Sequence, residues 1–145
     1  MSKEVVLTMV AGLLAVQICR AGDKPISDSS AEHNLAIAKR DAARNAYEAW
    51  WANYRDRAGP GEWVYLWSKR WLRAENEFSS GHDSQVAAYQ AHVERMRELE
   101  GIVSRMQRAK PGLARIDELS TTRYYRIEAE IWYEKSKKEN HGSKP

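Results

Sequence analysis

The sequence predicts an all-α protein: two long antiparallel helical hairpins, four helices in an up-down, coiled-coil-like bundle, with no β-sheet. Three observations predict it. The 145 residues include only 8 Gly and 4 Pro, and these gather at a few breaks, leaving long uninterrupted stretches. Between the breaks, apolar residues recur at three- and four-residue intervals, the period of a helix face. The breaks cut the chain twice into helix, tight turn, helix.

The first segment bears on location. After Lys3, an apolar run of about 14 residues from Val5 to Ile18 precedes Cys19-Arg20-Ala21 and a polar stretch. A basic start, a short apolar core and a small-x-small end describe a secretory signal peptide over 1–21, with cleavage expected after Ala21. The run is shorter than the ~20 apolar residues that span a bilayer, so no stable membrane span is expected after cleavage; an uncleaved anchor and an apolar helix packed on the body are the alternatives. The expected location is periplasmic or secreted, in a bacterium. Cys19 is the only cysteine; a mature chain cut after Ala21 has no disulfide, thiolate metal site or cysteine nucleophile.

Residues 22–30 read as a flexible lead-in, and 31–139 as the helical domain, with repeat units of about 31–80 and 84–138. Ser29-Ser30-Ala31-Glu32 has capping-box spacing and places a helix start at 31. The first helix is expected to run to about 57, with Leu35, Ala38, Ala42, Ala46, Ala49 and Tyr54 on its inner stripe. Ala58-Gly59-Pro60-Gly61 ends it: Gly suits a left-handed cap and Pro suits the start of the next helix. The second helix, 62–79, carries Trp63, Trp67, Trp71, Ala74 and Phe78 on one face. Ser79 to Asp83 breaks it, and Asp83 or Ser84 is positioned to cap the third helix. That helix is expected to reach 109 through Val86, Tyr89, Val93, Met96, Leu99, Val103 and Met106, spaced as in a coiled-coil seam. Lys110-Pro111-Gly112 breaks the chain again. The fourth helix, 113–138, is expected to turn Ile116, Leu119, Ile127 and Ile131 inward, and 140–145 to form a disordered tail.

The repeat is visible in sequence. Arg57-Ala58-Gly59-Pro60-Gly61 aligns with Arg108-Ala109-Lys110-Pro111-Gly112, and Arg73 to Phe78 aligns with Arg126 to Ile131. Tyr54-Arg55-Asp56-Arg57-Ala58-Gly59 followed by Trp67 to Glu75 resembles the helical-hairpin repeat of TolC-type outer-membrane efflux proteins, in which a Y-x-x-G turn precedes an A-E-bearing helix. Leu119 to Glu130 resembles stretches of uncharacterised exported proteins from planctomycete-type bacteria. The resemblance covers roughly 35–140 and implies the coiled-coil part of such channels. Alternating strands for a β-barrel mouth are missing, so neither transport activity nor a functional residue carries over.

Four helices invite a search for a di-iron site, which needs Glu three residues before His. Ser30, Ser79, Tyr89 and Lys138 precede His33, His82, His92 and His141 at that spacing. Glu75, Glu77, Glu128 and Glu130 form the best carboxylate set, yet alternate residues point about 200° apart on a helix and read better as ion-paired or solvated. No metal, cofactor or catalytic residue is therefore assigned, and the chain is expected to be no enzyme. Net charge is +3, which is too small and mixed for nucleic acid as the main partner. The unusual feature is aromatic: 6 Trp and 7 Tyr. Helical spacing assigns most of them to the core. One helix cannot bury both Trp50 and Trp51, or both Tyr124 and Tyr125, on a single face. With Arg70, Trp71, Arg123 and Trp132, these form the candidate partner surface, because aromatics with Arg anchor interfaces. The expected function is an exported, non-catalytic envelope structural or protein–protein interaction module, its partner an envelope protein or a second copy. An accessory component or remnant of a TolC-like efflux assembly is the alternative.

Overall fold

The computed structural model describes residues 28–56, 59–109 and 116–139. The signal segment, Cys19, most of the lead-in, the Lys110-Pro111-Gly112 break and the tail lie outside the described residues, as does His141. Among the described residues the fold is all-α: α1 (Asp28–Arg55), α2 (Gly61–Phe78), α3 (His82–Ala109) and α4 (Ile116–Lys138), with no strand. At 28 residues each, α1 and α3 are about 42 Å long. α1 packs along α2 and α3 along α4; the two hairpins meet mainly through α2 and α3.

The turns use the expected residues in a different way. Pro60 is the N-cap of α2, extended at φ −78° and ψ 143°, and its carbonyl accepts the Trp63 N–H at 3.2 Å. Neither Gly59 nor Gly61 has a left-handed φ. Gly61 is needed for close approach instead: a Cβ there would lie 3.3 Å from the Tyr54 ring and 3.6 Å from Leu99. α1 is already helical at Asp28, so the Ser29–Glu32 pair falls inside its first turn. At the other end of α2, the Ser79 N–H bonds the Glu75 carbonyl at 2.8 Å and the chain leaves in extended form. α3 begins one residue before Asp83; Ser84 Oγ donates to the Gly81 carbonyl at 2.6 Å, and the Gln85 N–H bonds the same oxygen.

The core runs through Tyr47, Trp51, Tyr54, Val64, Val93, Met96, Leu99, Val103 and Ala129. α2 makes contacts on two sides, but of the tryptophan face the sequence predicts, Trp67 and Trp71 are half-buried and Trp63 is 40% exposed. Trp63 and Trp71 meet the rings of Trp50 and Tyr47 on α1. Val64, Ser68 and Leu72, four residues apart and fully or nearly buried, form a second face that meets α3 through Ser68 and His92. In α3, Val93, Met96, Leu99 and Val103 are buried and Val86, Tyr89 and Met106 half-buried, as their spacing predicts.

Two helices turn differently from expectation. In α1, Leu35 is 70% exposed, and Ala38, Ala42 and Ala49 are exposed; Ala46 is half-buried and only Tyr54 of the predicted stripe is buried. The buried face is Ala43, Tyr47, Trp51 and Tyr54. Aromatic side chains bury 150–250 Å² each and an alanine little more than a methyl, so the ring-bearing phase wins. In α4, Ile127 and Ile131 are 43% and 48% exposed. Thr122, Ala129 and Ser136 face inward at seven-residue spacing, and Leu119, Tyr125 and Tyr133 pack against the core. Tyr125 and Ile127 lie two positions apart, about 200° around the helix; burying the ring exposes the isoleucine.

Candidate functional site

The eight residues read from sequence as a partner surface separate into two groups. Trp51 is a core residue, its ring stacked between Tyr47 and Tyr54 at centroid distances of 6.1 and 6.3 Å. Trp50 is half-buried and stacked on Trp63 at 5.3 Å. Trp71 lies 5.5 Å from Tyr47 and under the Arg95 guanidinium at 4.1 Å. Tyr125 is stacked on Tyr65 at 3.8 Å, nearly parallel, and Trp132 is stacked on His92 at 5.8 Å. These five rings belong to the packing between helices. Arg70, Arg123 and Tyr124 are exposed. Arg70 covers the Trp67 ring at 4.4 Å. Arg123 and Tyr124 lie on the outer side of α4, where Tyr124 is 61% exposed.

That outer side continues through Ile127 and Ile131. Residues 124, 127 and 131 are three and four apart and share one stripe. Behind it, α4 is tied to α3 by ions. Arg126 pairs with Glu100 and Glu130, Arg123 with Glu100, and Arg97 with Glu94 and Glu130. Of these, Arg97–Glu130, Arg123–Glu100 and Arg126–Glu100 cross from α3 to α4.

A second feature lies at the junction of the hairpins. Ser68, His92 and Arg95 are buried polar residues on α2 and α3. Arg95 Nε donates to Ser68 Oγ at 2.7 Å, and Ser68 lies 2.7 Å from His92 Nδ1. Arginine can only donate, so the serine hydrogen is directed at Nδ1, and Nε2 carries the imidazole proton without an acceptor. Burial, then the charges of Arg95 and Lys69, push His92 down to about 3. Burial also lowers Arg95, opposed by Glu75 and Tyr47, and raises Glu75 against the pull of Arg95 and a Trp71 hydrogen bond. Tyr47, desolvated beside Arg95, is pushed up to about 12. This serine and histidine touch, but they are not arranged as nucleophile and base. Ser68 is fully buried, its oxygen already accepts from Arg95, and a histidine held near 3 is a weak base at neutral pH. The triad bridges two helices and partners Ser68 Oγ, His92 Nδ1 and Arg95 Nε, while His92 Nε2 and Arg95 Nη2 stay buried without a partner.

The four carboxylates considered for a metal are dispersed. Glu77 pairs with Lys39, Glu128 accepts from Tyr65 and Tyr124, Glu130 holds Arg97 and Arg126, and Glu75 lies near Arg95. Among the described residues no three His, Cys, Asp or Glu converge on a metal position. His33 lies tilted against Phe78 at a centroid distance of 5.3 Å, and His82 opens α3.

Sequence reasoning missed the Ser68–His92–Arg95 triad. Its signal was present in part: Ser68 occupies the middle of the Val64–Leu72 face, a polar residue at a core position. The pairing across helices depends on the register of α2 against α3, which spacing alone does not set. It also missed a cleft of about 430 Å³ between α2 and α4. No helix among the described residues is long and apolar enough to cross a membrane. No protein-family model, curated protein or solved structure matches this chain.

Proposed function

We propose that the protein is an exported, non-catalytic helical module of the bacterial cell envelope that works by protein–protein contact through the outer face of α4. The observation that carries this reading is the exposed stripe of Tyr124, Ile127 and Ile131. Two half-exposed isoleucines lie beside an exposed tyrosine on a helix whose opposite face already supplies the core. Isolated exposed apolar residues are ordinary; three in register on an edge helix make a contact stripe of the kind used at helix-mediated interfaces. The contact is with a second copy or another envelope protein. Export rests on the apolar segment before residue 21. The sequence resemblance over roughly 35–140 keeps an accessory role in an efflux-type assembly as the second reading.

The test has two parts. Amino-terminal sequencing of the protein from an envelope fraction is expected to begin at Gly22; recovery of intact chain from the cytoplasm would sink the export reading. The Ile127→Lys/Ile131→Lys double variant is expected to lose self-association or co-purification with its envelope partner while keeping wild-type helicity. Retention of every contact by that variant would remove α4 as the interface. Co-purification of a transporter, lost in the variant, would favour the efflux reading.

A further inference from the structure

The cleft between α2 and α4 has features of a ligand site, and it lies apart from the outer stripe of α4. Its floor is apolar, formed by Leu72 of α2, Tyr89 of α3 and Trp132 of α4. Its rim carries Lys69 and Arg73, one helical turn apart and therefore side by side. Neither cation has a carboxylate partner among the described residues. Lys69 Nζ rests over the rings of Tyr65 and Trp132 at 4.9 and 5.4 Å, which holds the ammonium at the mouth. Glu77, the acid that also lines the cleft, is turned to Lys39 of α1. Arg44, Arg97, Arg123 and Arg126 each meet a carboxylate; other cations such as Arg105 are unpaired too among the described residues, but Lys69 and Arg73 are the ones that line this cleft. Two unpaired cations over an apolar floor complement a molecule with one anionic end and an apolar body. At about 430 Å³ the cleft falls in the ~300–1,000 Å³ range of small-molecule sites. Its α2 wall, from Lys69 to Glu77, is only about 12 Å long, short for a docked helix and long enough for a medium acyl chain or a fused aromatic.

We infer that this cleft binds a small amphiphilic anion, with its carboxylate or phosphate between Lys69 and Arg73 and its apolar body on Leu72, Tyr89 and Trp132. Calorimetric titration of the full-length protein with decanoate, decyl phosphate, decanol and decylammonium, all below their aggregation limits, tests this. The two anions are expected to bind saturably at one per chain, and decanol and decylammonium at least about tenfold more weakly, the scale of one charge-assisted contact. The Lys69→Gln/Arg73→Gln variant is expected to lose at least about tenfold for the anions, whereas Arg105→Gln, an exposed cation of α3, loses nothing. Both variants alter surface cations, and an unchanged melting temperature shows the fold is intact. Equal binding of all four probes, unchanged affinity in the double variant, inorganic phosphate binding as well as decyl phosphate, or no binding below millimolar would each overturn the inference. Binding to phosphatidylglycerol vesicles without binding to monomeric decanoate would overturn it in favour of a membrane surface.

Discussion

Across the α1–α2 interface the contacts are between rings: Trp50 on Trp63, Tyr47 on Trp71, and a Tyr47–Trp51–Tyr54 stack along the edge. One ion pair, Lys39 with Glu77, is seen across it among the described residues. Across α3–α4 one ring contact, Trp132 on His92, is seen among the described residues, and aliphatic and charged groups supply most of the rest. Val93, Met96, Leu99 and Val103 supply an aliphatic seam, small Thr122, Ala129 and Ser136 face inward from α4, and five charged residues form a connected chain from Arg97 through Glu130, Arg126 and Glu100 to Arg123. The first hairpin therefore depends on apolar area, which is insensitive to salt, and the second in part on charge, which salt screens. The difference also explains the surface. In α4 the small inward residues and flanking ions leave Ile127 and Ile131 outside, whereas in α1 the rings of Tyr47, Trp51 and Tyr54 take the buried face and leave Leu35 outside.

Removing a ring has the largest expected effect. Trp51→Ala is expected to cost about 3–5 kcal/mol by chemical denaturation, whereas Ile131→Ala on the outer face of α4 changes stability by no more than about 0.5 kcal/mol. Next in size is the junction between hairpins. Ser68→Ala leaves Arg95 Nε and His92 Nδ1 buried without their partner and is expected to cost about 1–3 kcal/mol.

The same junction sets a pH response. His92 falls from an ordinary 6.5 to about 3 in the folded chain, so the unfolded state binds the extra proton between those values. Stability from this group is fully present above about 6.5 and is lost as pH falls toward 3, at up to ~1.4 kcal/mol per pH unit. Denaturation at pH 7, 5.5 and 4 is expected to show that loss, and His92→Gln is expected to flatten it. An equal slope in the variant would assign acid sensitivity to the carboxylates instead. The smallest effect belongs to the charged chain. Glu100→Gln weakens contacts with Arg123 and Arg126 and is expected to cost about 1 kcal/mol at low salt, shrinking at 1 M salt. Trp51→Ala is expected to lack that salt dependence.

The four-helix order and the α3 seam were legible because α3 offers only one apolar phase: Glu94, Arg97, Glu98 and Arg105 occupy the other positions and are exposed. α1 and α4 each offer two. In α1 an alanine stripe competes with an aromatic one; in α4 the isoleucines compete with Tyr125, Trp132 and small residues. Spacing counts positions equally, and burial weighs them by area and by what the facing helix presents. The sequence repeat does not settle the phase either. At its 51-residue offset, buried Ala43, Tyr47 and Tyr54 correspond to Glu94, Glu98 and Arg105, all exposed. Within the candidate surface, adjacency was informative: Tyr125 goes in and Tyr124 stays out. The identity of the neighbours was not, since Ile127 and Ile131 were assigned to the core.

The outer face of α4 is proposed as a protein contact surface. It is tested most directly by placing the photo-crosslinker benzoylphenylalanine in place of Tyr124 in living cells, with exposed Asn45 on α1 as the control position. A discrete adduct, to a second copy or to one envelope protein, is predicted at position 124 and not at 45. No adduct at 124, or the same smear at both positions, would contradict it.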